Sequence, residues 1–444
     1  AAGARLLARQ WVPAEPAGRT ELPGRTAVLA APGTEAPAAR LAAALPGAEV
    51  LTPDRLAADL ADPRTAWDRF DAVVDLAGCA GADTPPERDA LLTWLRWTQR
   101  VVDHARPELR CLLVSRGPGA GGAARAGLYR MLQSEYRHVR SRHVDLGRDA
   151  SDEEVCRRSA DELGVDAEHA EIAYRDGVRH RAELRELPSG PSDAPRFPAG
   201  HVLWVTGGTR GLGLLTARHF VARHGVRKLV LTGREPLPPR AEWAAHIAAG
   251  TALGRKLRPL AELVEQGVEL EVLAVPLEDR AALAGALADV RRKLGPAGGV
   301  IHSAGFTDFG NPAFVRKPEA DMARVLGPKI FGLDALVECF RDEPLSLFVL
   351  YSSVAAAVPA LAVGQSDYAM ANAYLDAVAE ARPYGLPLVS VEWPSWKDTG
   401  MGEARSAAYQ ASGLDTLSDE QGLALLERAL ASGARVVLPA LPRP

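Results

Sequence analysis

Residues 201–213 read HVLWVTGGTRGLG. Val202, Leu203, Trp204 and Val205 predict a short buried strand. Thr206–Gly213 follows as a glycine-rich turn, and Leu214–His224 predicts a helix with apolar residues on one face. Strand, glycine turn and helix start together form a phosphate-binding unit. Glycines let the backbone approach a pyrophosphate, and the helix N-terminus offers free N–H groups and positive potential. Gly207, Gly211 and Gly213 follow a TGxxxGxG spacing rather than GxGxxG. Thr206, Gly207, Gly208, Thr209, Arg210, Gly211, Leu212 and Gly213 are therefore the expected contacts of a dinucleotide.

About 20 residues beyond the turn, a dinucleotide fold chooses its cofactor: an acid takes the ribose 2′-hydroxyl of NAD, an arginine suits the 2′-phosphate of NADP. Leu229–Arg234 reads LVLTGR, so Arg234 stands at that point, and Arg210 adds a second cation. NADPH is favoured over NADH. Hydride delivered to a ketone builds negative charge on oxygen, so a proton donor and hydrogen-bond donors must lie beside it. Tyr368 and Asn372 are one helical turn apart on one face. Ser352 and Ser353 end a predicted strand, Leu347–Ser352, where open α/β sheets place their sites. Lys329 falls in a predicted long helix within Met322–Phe340, and an ammonium near a phenol favours phenolate. The order glycine turn, Lys, Ser, Tyr, Asn is the specific signal.

Outward from these residues the chain alternates strand and helix, which implies α/β layers with a mainly parallel sheet. In the second half Leu229–Leu231, Leu270–Val275, Gly299–His302 and, as the last central one, Leu388–Trp393 predict further strands, and Ala281–Leu294 and Tyr368–Glu380 helices. In the first half Arg5–Pro13 predicts an edge strand closed by proline. Thr26–Ala30, Ala72–Leu76, Arg110–Val114 and His143–Leu146 predict strands, and Leu91–His104 and Leu128–His138 helices. Leu187–Pro198, LPSGPSDAPRFP, crowds proline, serine and glycine between two periodic regions and marks a domain boundary. Residues 1–190 and 191–444 are the two expected units. Val73–Gly78 (VVDLAG) parallels Val300–Gly305 (VIHSAG), and Cys111–Gly117 parallels Phe348–Val354. The first unit has no glycine turn and no counterpart of the Tyr368–Asn372 pair. It is expected to be a degenerate Rossmann unit packed on a complete, doubly wound one.

The 444 residues carry a formal charge of −4 and are 47% hydrophobic. This argues against nucleic acid as the main partner. No apolar run is long enough for a membrane span. Four scattered cysteines without a CxxC pair fit a reduced, cytoplasmic setting. The histidines show no metal-ligand spacing, and His302 is expected to support a strand end rather than hold a metal. The start AAGARLLARQ reads as a piece of a longer polypeptide.

TGGTRGLG (206–213), VIHSAG (300–305), VLGPKIFGLDAL (325–336), FVLYSS (348–353), GQSDYAMANAYLDA (364–377) and SVEWPSWKDTGM (390–401) give the whole chain its resemblance to a known family. It resembles the ketoreductase domains of modular polyketide synthases, within the short-chain dehydrogenase/reductase superfamily. Stretch 364–376 is most similar to those of trans-acyltransferase assembly lines. The resemblance implies NADPH-dependent reduction of a β-ketoacyl group carried on the phosphopantetheine arm of an acyl carrier protein, among neighbouring synthase domains. It implies Tyr368 as proton donor and Ser353, with Ser352 as fallback, as hydrogen-bond donor to the carbonyl. Lys329 and Asn372 would tune the tyrosine and hold a proton-relay water. Leu277, Ser303, Ala304, Gly305, Pro394 and Trp396, with Lys329 and Tyr368, would join the cofactor contacts. Lys397–Leu414 is expected to form a lid.

The chain departs from the pattern in three places. Pro276 replaces an adenine-binding Asp, the segment between Ser353 and Tyr368 is longer, and Thr307, Asp308 and Phe309 match only part of a Leu-Asp-Asp stereochemical motif. Two other uses of the same residues are epimerisation of an α-substituent and a redox-silent scaffold.

Overall fold

Val202–Thr206 is a strand with every residue buried, and the chain turns at its end on two glycines in the left-handed region, Gly207 (φ +63°) and Gly211 (φ +57°). L residues with side chains avoid that region, so both positions need glycine. The helix Gly211–His224 starts immediately after and closes on left-handed Gly225. The computed structural model describes residues 3–443 except 82–84, 106, 118, 167, 189–195, 308–309, 311–312 and 400–406.

The described residues hold fifteen strands. They are β1 (Arg5–Pro13), β2 (Thr26–Leu29), β3 (Ala48–Leu51), β4 (Ala72–Gly78), β5 (Leu109–Ser115), β6 (Val139–Asp145), β7 (Glu171–Arg175) and β8 (Val178–Glu186), then β9 (Val202–Thr206), β10 (Lys228–Thr232), β11 (Glu269–Leu273), β12 (Ala297–His302), β13 (Leu347–Ser353), β14 (Leu388–Trp393) and β15 (Val436–Ala440). All belong to one sheet in the order β11-β10-β9-β12-β13-β14-β15-β1-β8-β7-β6-β5-β4-β2-β3. From β9 to β15 every pairing is parallel, and the order reverses between β9 and β12, as in a doubly wound dinucleotide fold. In the first half β2 to β7 are parallel in the same sense, without a counterpart of β11 among the described residues. The repeat read from VVDLAG and VIHSAG has its structural meaning here. β4 and β12 hold equivalent places, each beside the first strand of its set.

Three expectations change. Arg5–Pro13 is a strand but not an edge: it pairs antiparallel with β15 through Arg5–Leu7 and with β8 through Leu7–Pro13. Pro13 is tolerated because it comes last, past the residues that meet β15. The helix expected across Met322–Phe340 is two, Glu319–Lys329 and Phe331–Phe340, broken at Ile330 (φ −96°, ψ −72°) just after Pro328. Strand Leu388–Trp393 is not the last central one, since β15 follows it.

The helices Ala120–Glu135 and Ser366–Ala381 cross in the middle of the molecule. Leu128, Tyr129 and Met131 share one apolar core with Ala369, Met370 and Tyr374. No helix among the described residues is long and apolar enough to cross a membrane.

Candidate active site

The C-terminal ends of β9 and β12, at the point where strand order reverses, open into a cleft of about 850 Å³. One wall is the glycine turn. A Cβ at Gly213 would overlap the Gly207 carbonyl and stand 2.5 Å from Ser303 Oγ; at Gly207 it would stand 2.9 Å from the Ala304 Cα. These glycines pack the turn against the β12 loop and keep the floor at backbone level. No side chain caps the start of helix Gly211–His224, so its first N–H groups face the cleft with the positive end of the helix dipole. Arg210 and Arg234 both line the cleft, are exposed, and have no carboxylate partner among the described residues. Thr209, Gly211, Leu212, Leu277, Ser303, Ala304, Gly305, Pro394 and Trp396 line it as well. The Trp396 indole packs against Gly422, where any Cβ would strike the ring.

Two expected cofactor contacts stand behind the wall. Gly208 faces the sheet, its missing Cβ 2.7 Å from Leu231, and Thr206 is fully buried. Thr206 instead begins a hydrogen-bond chain. The Ala304 N–H donates to Thr206 Oγ1 (3.2 Å), which lies 2.7 Å from His302 Nδ1, and His302 Nε2 lies 3.1 Å from the Pro328 carbonyl. A carbonyl only accepts, so Nε2 carries the proton and Nδ1 accepts from Thr206. Burial, with the Lys329 ammonium beside it, holds the imidazole neutral, its pKa down at about 3. His302 therefore supports its strand end, as expected, and also anchors the residue before Lys329.

The opposite wall carries the reactive groups. Tyr368 and Ser353 line the cleft together with Lys329. Lys329 Nζ donates to the Tyr351 carbonyl (2.5 Å) and to Asn372 Oδ1 (2.8 Å), and lies 5.6 Å from the centroid of the Tyr368 ring. Its stem passes Gly305, where a Cβ would stand 2.6 Å from Lys329 Cε. Asn372 is fully buried and off the cleft wall, and its amide donates to the Tyr368 carbonyl at 2.8 Å. Ser353 Oγ caps the short helix Val354–Ala357, accepting from the Ala355 N–H at 3.2 Å. The Ser352 hydroxyl donates to the Asn372 carbonyl (3.3 Å) and so ties β13 to the tyrosine helix. The segment between Ser353 and Tyr368 is folded into the short helix Val354–Ala357 and the 3-10 turn Pro359–Ala362.

Around Pro276 the wall is Ala274, Val275, Pro276, Leu277 and Glu278. Glu278 is paired with Arg88 of the first half. The sequence reading missed Phe306 and Arg324, which line the cleft with the guanidinium 4.4 Å from the ring centroid. No local spacing announces that pair. Asp308 and Phe309 lie outside the described residues. So do Gly400 and Gly402 of the expected lid; of that segment Thr399 lines the cleft and bonds Asp419 at 2.7 Å.

One group among the described residues has metal-ligand geometry, away from the cleft: His219 and His224 near the end of one helix, with Glu427 from a helix about 200 residues later. Both Nε2 atoms meet Glu427 Oε1, at 2.6 and 2.8 Å. Burial would raise this carboxyl, yet the two imidazole bonds hold it down at about 2. The trio is satisfied as a clamp between two helices.

Comparison with known proteins agrees with this geometry. The KR domain family model matches residues 201–398. Polyketide synthase PksL of Bacillus subtilis is 42% identical over 459 aligned positions, covering 98% of this chain and 10% of that protein. Mycoketide-CoA synthase of Mycobacterium tuberculosis is 35% identical over 61% of this chain and 6% of its own length. The chain thus spans a tenth or less of these relatives. The structure of an A1-type ketoreductase is 26% identical with a TM-score of 0.76, covering 99% of this chain and 93% of that one. A ketoreductase domain from the bacillaene assembly line shares the fold, with a TM-score of 0.75 at 20% identity over 99% of this chain and 97% of that one. From the glycine turn to the tyrosine helix, fold and sequence agree: residues 201–398 match the KR domain family, and the chain along its length is similar to ketoreductase domains of polyketide synthases.

Proposed function

We propose that the chain reduces the β-keto group of an acyl chain held on the phosphopantetheine arm of an acyl carrier protein, with NADPH as reductant and Tyr368 as proton donor. The observation that carries this reading is the meeting of Tyr368, Ser353 and Lys329 with the glycine turn in one cleft. Residues Gly207, Gly211 and Gly213 would hold the pyrophosphate, and Arg210 and Arg234 the 2′-phosphate; two unpaired arginines at one rim favour NADPH over NADH. When bound, the dihydronicotinamide supplies the hydride that the carbonyl carbon requires.

The rest is the work of this chain's side chains. Ser353 Oγ already accepts an N–H, so what it offers a substrate carbonyl is its own hydrogen. Tyr368 delivers its phenolic proton to the developing alkoxide. Lys329 places a positive charge near the phenolate that remains, and its bonds to Asn372 and Tyr351 fix it there. His302 orients the helix end that carries Lys329. Residues 1–190 act as a structural unit and 191–444 as the reducing one, in a cytoplasmic synthase of the trans-acyltransferase kind.

The test is product analysis with NADPH and a β-ketoacyl N-acetylcysteamine thioester. A β-hydroxyacyl product with equal NADPH consumption is expected. Exchange of the α-hydrogen without NADPH consumption would replace the reading with epimerisation, and neither change, with no NADPH binding, would leave a scaffold.

A further inference from the structure

The half of the chain without a glycine turn reaches into the reactive wall of the other half. Its helix Ala120–Glu135 crosses the tyrosine helix at backbone contact: a Cβ at Gly127 would stand 2.7 Å from the Ala369 carbonyl oxygen and the Met370 Cα. At the end of that helix Glu135 spreads its carboxylate over two backbone N–H groups. Oε1 accepts from Phe314 (2.7 Å) and Oε2 from Gly364 (2.9 Å). Phe314 opens the turn Phe314–Arg316, which lies downstream of the cleft residues Ser303–Phe306. Gly364, with φ +78°, leads into the helix Ser366–Ala381 that carries Tyr368.

Neighbouring groups extend the grip. The Tyr136 hydroxyl accepts from the Val315 N–H (3.1 Å), and the Gln99 amide donates to the Phe314 (2.6 Å) and Lys317 (2.9 Å) carbonyls. Lys317 then pairs with Asp367 at 3.2 Å, their side chains 1% and 2% exposed. Asp367 Oδ1 in turn accepts the Tyr368 N–H at 2.9 Å. An unbroken set of polar contacts thus runs from the first half to the backbone of the tyrosine. Two segments some fifty residues apart would otherwise settle independently; one carboxylate with an oxygen on each fixes their separation.

We propose that Glu135 is a positioning residue for Tyr368: the first half sets where the phenol stands relative to the carbonyl, beyond bracing the fold. This rests on the ketoreductase reading, with Tyr368 as acid. Glu135→Gln in the full chain keeps size and one acceptor but turns an amide nitrogen toward one of the two N–H groups. With a β-ketoacyl N-acetylcysteamine thioester, kcat is expected to fall about tenfold or more, while the NADPH Kd read by fluorescence stays within about twofold. The product alcohol is expected to lose stereochemical purity, and the melting temperature to stay near that of the wild type. Wild-type kcat and purity would overturn the proposal. So would a parallel loss of kcat, NADPH affinity and melting temperature, which marks a brace alone. If Glu135→Gln does not fold, Tyr136→Phe, which frees the Val315 N–H and removes the hydroxyl that bonds Glu135, is expected to show the same split between kcat and NADPH affinity, and its absence overturns the proposal. A wild-type chain that binds NADPH but reduces nothing would remove the reading itself before any variant is compared.

Discussion

Gly305 and Gly213 show how single atoms fix this site. A methyl at Gly305 would press on Lys329 Cε, a flexible stem that can shift; a methyl at Gly213 meets the Gly207 carbonyl, which cannot. Gly305→Ala is therefore expected to lower kcat with little change in melting temperature. Gly213→Ala is expected to cost about 1–3 kcal/mol of stability and to abolish measurable NADPH binding, both readable in a thermal-shift titration. Arg234, with no competing carboxylate, leads to a third expectation. Arg234→Ala should weaken NADPH by about ten- to a hundredfold, the loss of one charge-assisted contact, and leave NADH affinity unchanged in the same fluorescence titration. Equal loss for both cofactors would remove Arg234 from the 2′-phosphate. The residues of the site were legible because each lies on a motif with its own spacing. Glu135 and Gln99 were not, since their partners lie about 180 to 230 residues away and are backbone atoms with no side-chain signature.

Among the elements, β9, β12 and the lysine helix are joined through the neutral imidazole of His302. Its folded pKa, about 3, lies below the unfolded value of 6.5. Between those values the unfolded chain takes up a proton that the folded chain refuses, so this residue's contribution falls as pH drops below about 6.5, by up to ~1.4 kcal/mol per pH unit. His302→Gln removes that dependence. The stability gap between wild type and variant should narrow between pH 7 and pH 5 in denaturant melts, and a constant gap would contradict a buried neutral imidazole. At this scale the sequence was uneven. Strands β9, β10 and β12 to β14 stood out as short apolar runs. The hairpin of β7 and β8 went unread although Asp176-Gly177 stands at its turn, both with positive φ, because the flanking strands are rich in arginine and glutamate. The break after Pro328 was masked by apolar periodicity that continues into the next helix.

The whole molecule is one sheet, and the strand that joins its two sets comes from the start of the chain. β1 lies between β15 and β8, and its Arg9 pairs with Glu171 of β7 (3.3 Å) and Glu392 of β14 (4.0 Å), one from each half. Periodicity reported a strand here, but only long-range pairing could make it central. Deleting residues 3–13 should expose two sheet edges at once and give aggregation in light scattering, whereas a tail of no structural weight would leave the chain monodisperse. This architecture holds a phenol against a cleft floored by glycines, and the account depends on that phenol giving up its proton. The most direct measurement is single-turnover reduction of a β-ketoacyl thioester by the Tyr368→Phe chain, with NADPH affinity measured in parallel. A loss in rate of about 10²–10⁴ with unchanged NADPH affinity is predicted. Turnover within a few-fold of the wild type would contradict it.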